Sequence, residues 1–162
     1  KIDAVSVNNR KTIELKYGEK QFNHVLALLR KAYDGCVDGD LESQNIMIYP
    51  LTQNKVLAEA LCFKGAYQGT NYYAVLDDKL SKVEQVLAEQ YNEAGYDEKQ
   101  GYAFVRGSYK GRAIGDCWDG QDAVWNGKIF IRTSDWMTGG CYKGFTGGAW
   151  QLPTFVSDII VK

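Results

Sequence analysis

Asn126-Gly127 lies between two runs of β-formers, Asp122 to Trp125 and Lys128 to Arg132, and no other short segment restricts the fold as tightly. In the tightest hairpin turns both turn positions need positive φ, which Asn and Gly adopt most easily, so this pair predicts an antiparallel hairpin. The hairpin sits inside the stretch 102–153, which holds two of the four cysteines, all four tryptophans and ten of the seventeen glycines. Cys117 and Cys141 each close a Gly-rich segment on one flank of it. A bridge between them would tie the entry of the hairpin to its exit.

The cysteines also place the chain in a compartment. Cys36, Cys62, Cys117 and Cys141 form an even set with no Cys-x-x-Cys pair, and the lone histidine lies elsewhere, so the spacing of a zinc site is absent. Disulfides follow, and sequence order favours Cys36 with Cys62 and Cys117 with Cys141. Each closes a loop of about 25 residues worth roughly 3 kcal/mol in chain entropy. Such bridges imply an oxidising setting, the periplasm or the exterior of the cell.

At 162 residues the chain is expected to be a single domain, 1–162, large enough to bury a core. Its 19 Lys and Arg balance 20 Asp and Glu, which gives no reason to expect nucleic acid as a partner. No apolar run approaches the roughly 20 residues of a membrane-spanning helix, and no charged-then-apolar signal segment opens the sequence, so any export signal is absent from it.

Residues 2–7 and 12–17 read as short, half-buried strands, the second alternating Ile13, Leu15 and Tyr17 with polar positions. From Glu19 to Tyr33 the period becomes helical: Phe22, Val25, Leu26, Leu29, Ala32 and Tyr33 share one face, and Gly35 is expected to stop the helix. Segments 45–51 and 55–63 predict paired strands turning at Thr52-Gln53-Asn54; Gly65 to Asn71 reads as a turn and 72–76 as a further strand. Leu80, Val83, Leu87 and Tyr91 recur at helical spacing behind the capping-box pattern Ser81-x-x-Glu84, so 81–91 is expected to be helix, with strand as the alternative. Tyr96 and Phe104 flank a hairpin loop at Asp97 to Gly101, 102–109 is β-like, and Leu152 to Val161 reads as extended. The fold class is therefore α+β, mainly antiparallel sheet with one helix at about 19–33 and two disulfides.

Lys110-Gly111-Arg112, Gly115-Asp116-Cys117, the aromatic-Asn-Gly hairpin at Trp125 to Gly127, Cys141 followed by Gly144, and Trp-x-x-Pro-Thr at 150–154 come in a specific order, and Cys62-x-x-Gly65-Ala66-Tyr67 precedes them. Over about residues 45–155 this resembles the C-terminal half of an uncharacterised bacterial family, "domain of unknown function 1176". The resemblance implies export and carries no established activity. The chain departs from the family pattern at Ala113, at Trp118 and at Tyr142, where glycine, glycine and arginine are usual.

Catalytic chemistry finds little support in the sequence. His24 lies beside the apolar face of its helix, and no serine or cysteine stands in a recognisable motif with it. The acidic sets Asp34, Asp38, Asp40, Glu42 and Asp116, Asp119, Asp122 lack the calcium-loop pattern and read as solvated turns, so no metal and no cofactor is expected. Arg112 could grip a carboxylate or phosphate with its planar fork, or pair locally with Asp116. Trp118, Trp125, Trp136, Tyr142, Phe145 and Trp150 could form a sugar-stacking or protein-binding surface, or the core of a small β-unit.

The sequence thus points to an exported, non-enzymatic binding module, with Arg112, Trp118, Trp136 and Tyr142 as binding residues. Its partner is expected to be a protein or an envelope glycan. An inhibitor or immunity protein that blocks an envelope-acting hydrolase is the alternative, and a small secreted hydrolase a weaker one.

Overall fold

The computed structural model of the chain describes residues 1–66, 68–111, 117–138 and 152–162, the side chains of 88–90 and 152 excepted. Strand β1 (Ile2–Ala4) opens the chain, followed by β2 (Ile13–Leu15), helix α1 (Lys20–Ala32) and the single-turn helix α2 (Asp38–Leu41). Strands β3 (Ile46–Pro50), β4 (Lys55–Lys64), β5 (Gly69–Asp77) and β6 (Val83–Tyr91) then run antiparallel and, with β2, make sheet I in the order β2-β3-β4-β5-β6. Strands β7 (Glu93–Tyr96), β8 (Ala103–Lys110), β9 (Trp118–Trp125), β10 (Phe130–Met137) and β11 (Leu152–Val156) form sheet II in the order β11-β10-β9-β8-β7. Strand β12 (Ile159–Val161) pairs in parallel with β1, so the two ends of the chain meet.

Three layers result. Phe22, Val25, Leu26 and Leu29 of α1 are buried against Leu15, Ile46, Ile48, Val56, Ala58, Tyr72 and Ala74 on one face of sheet I. Small residues at 58, 60 and 74 let the helix lie close to the strands, the geometry that dense interior packing demands. The other face of sheet I, through Leu57, Tyr73, Val75, Leu87 and Tyr91, meets Val105, Ala123, Trp125 and Phe130 of sheet II in a second core. Sheet I is therefore dry on both faces over most of its width, whereas sheet II keeps one face turned away from the core.

Most strands stand where expected, and the helix α1 matches the predicted span to within a residue at each end. Its stop differs from expectation. The helix ends before Gly35, at a Tyr33 that turns extended (φ −155°, ψ 128°) and puts its ring 5.3 Å from that of Tyr72. Gly35 matters because a Cβ there would strike the Tyr33 ring. Ile13 and Tyr17, expected to be half-buried, are 54% and 60% exposed, because β2 is the edge of sheet I and only Leu15 reaches the core. The turn expected at 65–71 is shorter, since β5 already starts at Gly69.

Segment 81–91 holds strand β6 (Val83–Tyr91), the alternative reading, and the helical reading is overturned. The β5–β6 pairing is irregular at two places: the register shifts between Val75 and Leu76 and again between Asn71 and Tyr73. The first, one extra residue in β6, puts Val83 and Val86 both against the helix-side core although they are three apart, while Leu87 and Tyr91, four apart, face the opposite core as plain alternation requires. One bulge thus makes a same-face step of three, and beside an ordinary step of four the spacing imitates a helix. Nor does Ser81 cap a helix. Its backbone N–H and that of Lys82 donate to Asp77 Oδ1 at 2.8 Å each, while Glu84 pairs with Lys55.

The hairpin at Asn126-Gly127 is present with a longer turn than expected. Trp125 opposes Phe130, so four residues form the loop, and Asn126 closes it by accepting the N–H groups of Lys128 and Ile129 on its side chain, at 2.9 and 2.8 Å. Of the pair only Gly127 has positive φ, +97°. The tight two-residue turn lies instead between β3 and β4, where Gln53 and Asn54 both take positive φ, 58° and 55°. Cys36 and Cys62 are bridged, as expected. Of the two bridges expected, this is the one found among the described residues; Cys141, the expected partner of Cys117, lies outside them.

Candidate binding face on sheet II

Alternation along β8 defines the site. Ala103, Val105 and Tyr109 are buried toward sheet I, so Phe104, Arg106, Ser108 and Lys110 stand on the outer face. Strand register extends each of these positions into a transverse row. Glu93, Arg106, Asp122, Ser134 and Val156 oppose one another in turn across all five strands. The neighbouring rows are Gly95, Phe104, Val124 and Ile131 on one side and Ser108, Gly120, Trp136 and Pro153 on the other, with Lys110 opposite Trp118 beyond.

The middle row is a connected polar network. Arg106 Nε donates to Asp122 Oδ1 at 2.8 Å, and Ser134 Oγ donates to Asp122 Oδ2 at 2.8 Å. The Arg106 guanidinium also lies 4.9 Å from the centre of the Phe104 ring, a cation–π contact that fixes its plane. With Nε engaged, its two Nη groups have no acceptor among the described residues. Two adjoining recesses of about 610 and 690 Å³ share Arg106, Asp122, Ser134 and Val156 and together make one trough. Tyr102 lines the first recess; burial and Asp97 push its hydroxyl above the usual range against the pull of Arg106, which keeps it a neutral donor.

Trp136 and Trp118 flank the polar row. Trp136 lies over Gly120, where a Cβ would collide with its ring, and it walls the second recess. Trp118 carries Lys110 Nζ 5.3 Å from the centre of its ring, and its backbone N–H donates to Thr138 Oγ1 at 2.8 Å. Flat apolar surface thus borders a line of alternating donors and acceptors. That arrangement suits a hydroxylated ring, which offers an apolar face to an indole and its edge to polar groups.

The residues singled out from the sequence divide in three. Trp118 and Trp136 are brought onto one face, on neighbouring strands. Trp125 belongs to the core instead: it is fully buried, packs 5.5 Å from Phe130 and donates from Nε1 to Thr52 Oγ1. Arg112, Asp116, Tyr142, Phe145 and Trp150 lie outside the described residues. Asp119 and Asp122, expected in a solvated turn, sit in β9 and point to opposite faces. In the first acidic set Arg30 pairs with Asp38 and Glu42, and Asp40 accepts the Lys64 N–H at 2.9 Å. No grouping of three metal-ligating side chains occurs among the described residues. His24 Nε2 meets the Leu80 carbonyl oxygen at 2.8 Å, on the helix side of sheet I, with the whole sheet between it and the trough. Arg106 and Ser134 were missed in the sequence: the alternation of Phe104, Arg106 and Ser108 against Ala103, Val105 and Gly107 marks Arg106 as outward, but only strand register brings Ser134 beside it.

No helix among the described residues is long and apolar enough to cross a membrane. No curated protein and no solved structure matches the chain. The family described as "Protein of unknown function (DUF1176)" has a model that matches residues 3–157, reaching well before the segment 45–155 that carries the recognisable motifs, and the chain belongs to that family.

Proposed function

We propose that the chain is an exported, non-enzymatic binding module that holds an envelope glycan in the trough on the outer face of sheet II. The observation that carries this reading is the row Arg106–Asp122–Ser134, whose polar atoms are already oriented by one another, lying directly beside the Trp136 indole. Pre-set polar groups next to a rigid aromatic lose little freedom on binding, so more of the contact energy appears as affinity. Export is supported by the Cys36–Cys62 bridge, since disulfides persist in oxidising compartments. Within the same reading, Cys117 and Cys141 form the second bridge, and Arg112 and Tyr142 remain binding residues of the proposal.

Catalysis is not part of the proposal. Ser134 spends its hydroxyl proton on Asp122, and the histidine that could have served as its base is on the far side of sheet I.

Co-sedimentation of the purified protein with insoluble envelope glycan stripped of protein is the test. The wild type is expected in the pellet, and Trp136→Ala and Arg106→Ala should each weaken retention about tenfold or more. Equal retention of both variants, or no retention of the wild type, overturns the glycan reading. A protein inhibitor is favoured instead if only the protein fraction captures the chain. Exposed Met137, Phe155 and Val156 along β10 and β11, at 43%, 44% and 66% exposure, are the observation on its side.

A further inference from the structure

A second recess lies on sheet I, and the glycan face uses none of its residues. On the face of sheet I that meets sheet II, register aligns Glu14, Met47, Glu59, Tyr73 and Leu87 across β2 to β6. This row runs from dry to wet. Leu87 and Tyr73 are buried in the core between the sheets, Glu59 is half-buried, and Glu14 is exposed. A cavity of about 480 Å³ opens where the row leaves the core, lined by Glu59 together with Gln44, Asn45, Met47, Asn71 and, at its rim, Glu14.

Glu59 is a carboxylate built into that cavity by neutral donors. Tyr73 Oη donates to its Oε2 at 2.5 Å and Tyr49 Oη to its Oε1 at 3.3 Å, while Asn71 Nδ2 donates to Tyr73 Oη at 3.1 Å. Glu14 is positioned as well, accepting from Asn45 Nδ2 at 2.7 Å. None of the lining residues is basic, and no ion pair among the described residues includes Glu59 or Glu14. A half-buried carboxylate answered only by hydroxyls has its hydrogen bonds and lacks its counter-charge. Burial accordingly raises the Glu59 carboxyl above its ordinary range, against the pull of the two tyrosines.

We propose that this cavity binds a primary ammonium or guanidinium group, with Glu59 at its floor and Glu14 at its rim supplying the opposing charge. Gln44 and Asn71 add neutral acceptors. The volume falls within the ordinary range for small-ligand pockets and admits a free amine or the end of a lysine or arginine side chain. The cation replaces the proton as the counter-charge of Glu59, so its affinity rises with pH. The groups facing Glu59 are Glu14, Tyr49 and Tyr73, with Tyr96 and Glu93 next to Tyr49. Burial drives the hydroxyls of Tyr49, Tyr73 and Tyr96 upward, so they remain neutral beside Glu59.

Amide NMR titrations of the whole chain test the proposal with three probes: 1,5-diaminopentane, acetyl-lysine amide, and acetyl-norleucine amide as the uncharged control. Both cations should shift residues 43–47, 59 and 71, bind several-fold more tightly at about pH 8 than at about pH 5, and bind at least tenfold more weakly to Glu59→Gln. Tighter binding of the diamine identifies a free amine as the ligand, and tighter binding of the lysine derivative a basic side chain of a partner. Should Glu59→Gln fail to fold, Glu14→Gln at the exposed rim takes its place, with a several-fold loss expected. Equal shifts with the norleucine control, no shift with either cation up to about 10 mM, or full affinity in a folded Glu59→Gln overturns the proposal.

Discussion

Trp136 lies over Gly120: the two face each other across β9 and β10, and a Cβ on the glycine would run into the indole and stand 2.6 Å from the Gly107 carbonyl oxygen. Displacing the ring relieves only the first of these contacts; the second requires the backbone of β8 or β9 to shift. Gly120→Ala should therefore destabilise the fold by about 1–3 kcal/mol, as overpacking does, and lift the indole off the sheet. Urea denaturation measures the first effect, and a red shift of tryptophan emission the second.

The Cys36–Cys62 bridge closes a 26-residue separation that contains α2 and leads into β3 and β4. Cys36→Ser with Cys62→Ser should lower stability by about 3–4 kcal/mol in the chain-entropy account. Denaturation with and without reductant checks it: the wild type should exceed the double variant by that amount without reductant, and the two should coincide once both are reduced. Peptide mapping without reduction is expected to find Cys117 joined to Cys141.

Two carboxylates should give pH dependences of opposite sign. Hydrogen bonds from Ser81 and from the Ser81 and Lys82 backbone hold Asp77 down at about 2, below its ordinary 3.8. Its stabilising effect is present above pH 4 and is lost as pH falls through about 2, so Asp77→Asn should be less stable than wild type near neutrality and converge with it in acid. Glu59 is raised, chiefly by burial, from its ordinary 4.5. Its contribution is present below that value and lost as pH rises through the folded value, so Glu59→Gln should gain on wild type as pH increases. Chemical denaturation across pH measures both.

Which parts of the fold were legible follows from where pairing is regular. α1 announces itself because Phe22, Val25, Leu26 and Leu29 obey one uninterrupted period, and β3 and β4 are marked by their intervening turn. β6 was hidden because Val83, Leu87 and Tyr91 recur every four residues, a spacing that helix and strand share, and the bulge against β5 between them breaks the strand's own alternation. In the candidate site, Trp118 and Trp136 stood out by residue type. Arg106 and Ser134 did not, because their meaning comes from the register that sets them on either side of Asp122. Glu59 was invisible for a similar reason: only the pairing of β4 with β3 and β5 puts Tyr49 and Tyr73 within reach of it.

His24 should be replaceable. Its Nε2 meets the Leu80 carbonyl, and Leu80 holds positive φ of 55° at the bend into β6. A glutamine amide can donate to the same oxygen, so His24→Gln should stay within about 0.5 kcal/mol of wild type, whereas His24→Ala should lose about 1 kcal/mol. Glycan retention should be unchanged in both, which melting curves and co-sedimentation would establish together.

The central claim, that ligand is held on the outer face of sheet II, is tested most directly by titrating soluble fragments of the envelope glycan into isotope-labelled protein and mapping the side-chain and amide shifts. Alternation makes the expected pattern sharp. Shifts should gather on Phe104, Arg106, Asp122, Ser134 and Trp136, spare their inward neighbours Val105 and Ala123, and disappear with a loss of about 2 kcal/mol or more in Trp136→Ala at an unchanged melting temperature. Shifts confined to α1 or to sheet I, or undiminished binding by a folded Trp136→Ala, would contradict the account.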